Sequence, residues 1–210
     1  MTFHDEIPQK EIQFQQYSGL DWSQYYSTIR SLVMRQKRLV RKVILRDYND
    51  EKPSTDITGE AEVDAAGSGE FNLFGLNIES PEEGKQIANV VAESLKCQRQ
   101  TIHAETMVPG MAPGLRFKLK DHGMANLNRQ YLIVSMDSTG HDPTFAENAG
   151  RNVDPFLNTI SAIPADSQFR PELVVERQKI HGALDAIIDA ESDGLYAELD
   201  DQGRYKVVLP

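Results

Sequence analysis

Ser80-Pro81-Glu82-Glu83-Gly84-Lys85-Gln86-Ile87-Ala88-Asn89-Val90-Val91-Ala92-Glu93-Ser94-Leu95-Lys96-Cys97, with Thr101-Ile102-His103-Ala104-Glu105-Thr106-Met107-Val108 close behind, decides the fold class. Ser80 is a helix cap, Pro81 suits the first helical position, and Glu83 stands three residues on to close a capping box. Ile87, Val90, Val91 and Leu95 fall on one apolar stripe, which predicts a helix over about 81–97 that covers one side of a sheet. After it the period changes. Thr101–Val108, Gly114–Leu119, Tyr131–Met136 and Phe156–Ile163 are short, alternating or apolar runs, punctuated by Gly110, Pro113, Gly114, Gly123 and Pro164. One helix among turn-separated strands reads as α+β, mainly β.

Outward from this centre the signals weaken. Residues 1–27 form a polar, Gln-rich, poorly defined lead-in. Between Thr28 and Asp47, Val43-Ile44-Leu45 fits strand alternation best, whereas 24–37 fits helix or strand. Arg35, Lys37, Arg38, Arg41 and Lys42 interrupt this region and read as a solvated face. Asp47-Tyr48-Asn49-Asp50-Glu51-Lys52-Pro53 is a turn, because Asn and Asp suit turn backbones and Pro53 pushes Lys52 towards extended geometry. Gly59, Gly67, Ser68 and Gly69, among acidic residues, make 58–70 a flexible connection, and 141–154 is loop-like. Residues 169–179 read as an extended linker. Beyond it, Ala183–Ile188, Leu195–Leu199 and Arg204–Leu209 are strand candidates, the last two joined by a hairpin turn at Asp200-Asp201-Gln202-Gly203. A strand running directly into Pro210 reads as a barrel cut short.

Composition removes several function classes. A chain of 210 residues with 40% hydrophobic and 26% charged residues is globular rather than disordered. Its net charge of −10 argues against nucleic acid, whose phosphates are met by clustered Lys and Arg. The single cysteine, Cys97, rules out an intramolecular disulfide framework. No run approaches the roughly 18–20 apolar residues that span a bilayer. The polar start Met1-Thr2-Phe3-His4-Asp5-Glu6 is no secretory signal peptide, so a chain that leaves the cell is expected to do so by another route.

Candidate chemistry is sparse. Asp189-Ala190-Glu191-Ser192-Asp193-Gly194 places Asp189, Glu191 and Asp193 at the first, third and fifth positions of a calcium loop. Asp200 falls at the twelfth. The third residue is Glu rather than Asp or Asn, the closing Asp200 is a methylene short of Glu, and the flanks look like strands. A solvated acidic turn competes with the metal site. His4, His103, His122, His141 and His181 show no i, i+4 pair for zinc. Ser135 and Ser138 stand near Asp137 and His141 without a Gly-x-Ser-x-Gly elbow. The glycine clusters lack the Lys-Ser/Thr of a phosphate loop. Cys97 reads as buried and inert. Phe71, Phe74, Phe117 and Tyr131 read as core. No catalytic residue and no cofactor is expected.

The order of several motifs carries a resemblance. Arg46-Asp47-Tyr48-Asn49 with Lys52-Pro53, Pro109 through Leu119 about Gly114, and Leu127 through Val134 follow one another. After them come Ile163-Pro164, Phe169-Arg170-Pro171, Gly182 and Asp201-Gln202-Gly203-Arg204-Tyr205-Lys206-Val207. Over residues 28–210 this order resembles the VgrG spike proteins of type VI secretion and the related phage tail hubs. The resemblance implies a hub-type β-barrel domain over 28–168, a linker over 169–179, and the truncated start of an OB-like barrel over 180–210. It further implies a structural rather than enzymatic role, linking tube to puncturing needle. A homotrimer, a tube partner of the Hcp or tail-tube type, a PAAR-type tip or effector reached through a needle, and assembly in the cytoplasm followed by export by the machine itself or residence in a phage-like particle also follow from it. Asp47, Tyr48, Pro53, Gly114, Phe169, Arg170, Pro171, Gly203 and Arg204 are its structural markers. An unrelated β-barrel adaptor is the remaining alternative.

Overall fold

The computed structural model describes residues 6–15, 26–49, 51–140, 156–174, 181–189 and 199–209. The chain forms two compact units, Met1–Glu172 and Leu173–Pro210.

The first unit is built on a closed barrel. Its strands are β1 (Glu6–Phe14), β2 (Thr28–Gln36), β6 (Gln100–Thr106), β7 (Arg116–Lys120), β8 (Gln130–Gly140) and β9 (Phe156–Pro164). They close in the order β1-β2-β6-β9-β8-β7. All neighbours are antiparallel except β1, which is parallel to both β2 and β7. Closure leaves the barrel no unpaired edge. Strand alternation turns Ile29, Ile102, Ala104, Phe117, Leu119, Tyr131, Ile133, Ile160 and Ala162 into one buried cluster. Two hydroxyls inside it are satisfied: Thr106 Oγ1 donates to the Thr28 carbonyl at 2.8 Å, and the Tyr131 hydroxyl donates to Leu127 O at 3.0 Å.

Between β2 and β6 the chain makes an excursion. β3 (Lys42–Asp47) is the centre of a three-stranded sheet, antiparallel to β4 (Ile57–Glu62) and parallel to β5 (Glu70–Phe74). The helix α1 (Pro81–Cys97) covers one face and packs chiefly on β4 and β3. Its cap is as the sequence implies: the Ser80 side chain accepts from Glu83 N at 3.3 Å. The reciprocal bond is displaced by one residue, since the Glu83 carboxylate accepts from Glu79 N at 3.1 Å. Gly84, Ala88 and Ala92 are buried beneath the helix, with Val43, Leu45, Ile57 and Ala61 facing them. The excursion returns to its start, where Lys37 N donates to Arg99 O at 3.1 Å beside the Gln36–Gln100 pair.

Several expectations are corrected. Residues 6–14, assigned to the lead-in, are a barrel strand whose Ile7 and Ile12 are core. Those isoleucines are five apart, an odd spacing that hides a period of two. The β1–β7 register shifts between Glu6 and Glu11, and that irregularity puts both side chains on the inner face. The region 24–37, open between helix and strand, contains β2. Residues 58–62, expected to be part of a flexible connection, belong with Ile57 to β4. Its buried positions Ile57, Gly59 and Ala61 alternate correctly, but two are too small to read as apolar. Phe71 and Phe74 are not core: they are 39% and 75% exposed on β5.

In the second unit, β10 (Ile187–Ile188) pairs antiparallel with β11 (Val207–Val208). Leu199 bridges Tyr205 around the Asp200–Gly203 turn. Its described apolar residues Ile187, Ile188, Val207 and Val208 are exposed. Residues 195–198, within one expected strand, lie outside the described residues.

Candidate functional site

The marker Asp47 ends β3 by gathering two loops. Its carboxylate accepts from Tyr48 N at 2.9 Å and from Ile78 N at 3.0 Å. Partial burial works to raise its pKa, but backbone N–H groups of Ile78, Tyr48, Leu76 and Asn77 prevail and hold it below the usual carboxylate range. Two residues on, Asn49 Oδ1 accepts from Glu51 N at 2.9 Å and Lys52 N at 3.3 Å, shaping the turn that carries Pro53. Tyr48 between them is 60% exposed. The motif is thus a brace joining the β3–β4 turn to the entry of α1, with its aromatic ring turned to solvent.

Gly114 is required by its backbone. At φ +92° it occupies a region that L side chains rarely adopt. There its N–H donates to Ile133 O at 2.8 Å, and Ile133 N returns a bond to Leu115 O at 3.0 Å, setting β7 against β8.

Phe169-Arg170-Pro171, expected to open a linker, belongs instead to the first unit. Phe169 packs on Cys97, Leu132 and Ile163, which ties the end of α1 to the outer barrel wall. Arg170 N donates to Cys97 Sγ at 3.3 Å, Arg170 Nε meets the Glu93 carboxylate at 2.5 Å, and Ser94 Oγ donates to Pro171 O at 3.2 Å. Burial pushes the Cys97 thiol pKa up, which disfavours the reactive thiolate.

Gly203 has φ +77° and its N–H donates to Asp200 O at 2.9 Å, so the expected hairpin turn is present. Asp200 also accepts from Gln202 N, Arg204 N at 2.8 Å and Arg204 Nε at 2.7 Å. The Arg204 donors hold its pKa low. Asp189 pairs with Lys206 Nζ at 2.7 Å. Glu191 and Asp193 lie outside the described residues. The two described members of the acidic loop therefore spend their oxygens on the hairpin's own cations and amides.

The structure brings together one pair that the sequence did not indicate: Ser161 Oγ and His103 Nδ1, 3.0 Å apart across the β6–β9 register. A nucleophile and base need a third group to orient the imidazole. The neighbouring Glu105 is engaged by Arg30 at 3.3 Å, and Asp137 sits a register step away opposite Thr159. Ser138 donates to Asn158, and His4 and His141 lie outside the described residues. Among the described residues no group of three or more His, Cys, Asp or Glu stands ready for a metal.

Also missed was the charge seam across β1 and β7, where Glu11 meets Lys118 at 3.3 Å and Lys120. The bond from Lys120 is the main reason the Glu11 pKa is lowered. No periodicity signals a parallel N-terminal strand, so only the three-dimensional register shows it.

A closed barrel carrying an excursion braced by Asp47 is the architecture that the described residues of the first unit define. The model of the phage tail baseplate hub (GPD) family matches residues 2–144, and the chain belongs to that family. The actin cross-linking toxin VgrG1 of Vibrio cholerae is 23% identical over 188 residues, which cover 87% of this chain and 17% of that protein. The type VI secretion system spike protein VgrG3 of Vibrio cholerae is 23% identical over 171 residues, 79% of this chain and 17% of that one. The chain thus spans 17% of the length of each of these two curated relatives. Among solved structures, the 43 kDa tail protein of prophage MuSo2 from Shewanella oneidensis shares the fold. Its TM-score is 0.53 at 10% identity, over 80% of this chain and 47% of that one.

Proposed function

We propose that the chain is a structural hub component of a contractile injection machine, a type VI secretion spike or a phage tail baseplate, joining the tube to the puncturing part. The observation that carries this reading is the family match over residues 2–144, which takes in the excursion and every barrel strand except β9. A closed barrel suits a part that transmits load, because its backbone hydrogen bonds are shared around a ring with no edge to peel. Subunits closing by rotation use heterologous interfaces, and a homotrimer is the assembly proposed here. A tube protein of the Hcp or tail-tube type is the partner at one end. A PAAR-type tip or an effector belongs to the other. The proposed route out of the cell is the machine itself. The proposed role needs no nucleophile or cofactor.

Mixing the purified chain with preformed tube rings and imaging the product by electron microscopy tests the reading. Density capping tube ends supports it; tubes with bare ends and unbound chain overturn it.

A further inference from the structure

The barrel has no edge, but the sheet β4-β3-β5 has two. Edge strands are normally guarded by charge, proline, a bulge or a covering element. The β5 sequence, Glu70-Phe71-Asn72-Leu73-Phe74, has one charge and no proline, and its register to β3 is unbroken. Nor does the helix guard it, since α1 packs chiefly over β4 and β3. Within the first unit, among the described residues, β5 therefore presents an open edge flanked by exposed Phe71, Phe74 and Leu76.

The register shows what fits this edge. Phe71 and Leu73 oppose Val43 and Leu45 and share the helix face, whereas Glu70, Asn72 and Phe74 lie on the other face with Lys42, Ile44 and Arg46. That outer face is polarised. At one end Glu62, Lys42 and Glu70 form a row, and Lys42 also reaches Glu60; at the other end Thr58, Arg46 and Phe74 form a row. One end is acidic, and the other is basic and aromatic.

We propose that the β5 edge is a self-association site, in which two copies pair β5 antiparallel about Asn72 and fuse their sheets. In that register Phe71 of each copy opposes Leu73 of the other on the helix face, the kind of aromatic–aliphatic cross-strand pair that stabilises a sheet. Glu70 of each copy opposes Phe74 of the other, with that copy's Arg46 one strand further along the same row, so the acidic row runs into the basic and aromatic row twice. An isologous contact of this kind uses the same patch on both partners. It is separate from any ring-forming interface and does not depend on the proposed hub role.

The test is cysteine cross-linking. At the twofold centre the two residues 72 have Cα atoms about 4.5–5.5 Å apart, within the span of a disulfide. Residues 74 of the two copies are offset by four positions, about 13 Å along the strand. Under mild oxidation Asn72→Cys is expected to run as a covalent dimer on a non-reducing gel, while Phe74→Cys and wild type, whose Cys97 is buried, stay single chains. In parallel, Phe71→Lys is expected to halve the light-scattering mass without changing the circular dichroism spectrum. The proposal is overturned if Asn72→Cys stays a single chain, if Phe74→Cys cross-links equally well, or if a folded Phe71→Lys protein keeps the wild-type mass.

Discussion

Gly59 on β4 lies directly beneath Gly84 in the first turn of α1, so close that a methyl group on Gly59 would stand 2.9 Å from Lys85 N and run into the Gly84 carbonyl. The relationship is one-sided. A methyl group on Gly84 would only touch Ile57 Cγ2 and Leu45 Cδ2, both at 3.6 Å, an ordinary contact distance. Both residues lack a side chain, but only on β4 is that required for the helix to descend onto the sheet.

Gly59→Ala is accordingly expected to cost about 1–3 kcal/mol, the usual range for overpacking a tight contact. Gly84→Ala is expected to be neutral or stabilising by up to about 1 kcal/mol, since alanine is the better helix former. Urea denaturation of both variants checks the asymmetry. Equal losses would place the close approach elsewhere.

Asp47 makes stability depend on acid. Its folded pKa lies below its unfolded value, so it binds a proton less readily when folded. Its contribution is complete above the ordinary carboxylate pKa and is lost as pH falls through the folded value. Asp47→Asn is expected to cost about 1–3 kcal/mol at neutral pH, because charged acceptors strengthen the bonds from Tyr48 and Ile78. The loss should shrink as pH falls through the acid range. A penalty that stays constant down to low pH would show that the charge is not what matters.

At the Phe169-Arg170 step, packing should outweigh charge. The Arg170–Glu93 pair has side chains 41% and 35% exposed, and pairs of that kind contribute about 0–1 kcal/mol. Phe169→Ala, which empties the cluster with Cys97, Leu132 and Ile163, is expected to cost about 2 kcal/mol, less than a full core phenylalanine. Thermal unfolding of Arg170→Ala and Phe169→Ala separates the two contributions.

Calcium is expected to leave stability unchanged. A ligand that binds only the folded state raises its unfolding temperature, and Asp200 and Asp189 are already engaged by Arg204, Gln202 and Lys206. Differential scanning calorimetry with millimolar calcium and with chelator checks this. A rise on adding calcium would reopen the site at Asp189.

The parts of this fold that were legible in the sequence are those where local chemistry and tertiary role agree. Ser80, Pro81 and Glu83 specify a helix start by themselves, and the structure begins α1 at Pro81. The runs at Thr101, Gly114, Tyr131 and Phe156 alternate because one wall of a barrel is wet and the other dry. What was not legible depends on partners far along the chain. Ile7 and Ile12 become core only through a register shift against β7. Gly59, read as slack, is the one residue that lets the helix approach. Phe71 and Phe74 looked like core because aromatic residues usually are, yet α1 packs chiefly over β4 and β3 and leaves the β5 edge uncovered. Among the marker residues, Asp47 and Gly114 shape turns, and Arg170 fastens the chain to α1.

The most direct measurement is the mass of the Phe71→Lys protein by light scattering across a range of concentrations, with and without chelator. That substitution separates ring closure from edge pairing. Three times the single-chain mass, unaffected by chelator, is the expected result for a hub subunit that closes by rotation. A single-chain mass at every concentration would contradict ring closure, and an unfolding temperature lowered by chelator would move the acidic loop at Asp189 to the centre of the function.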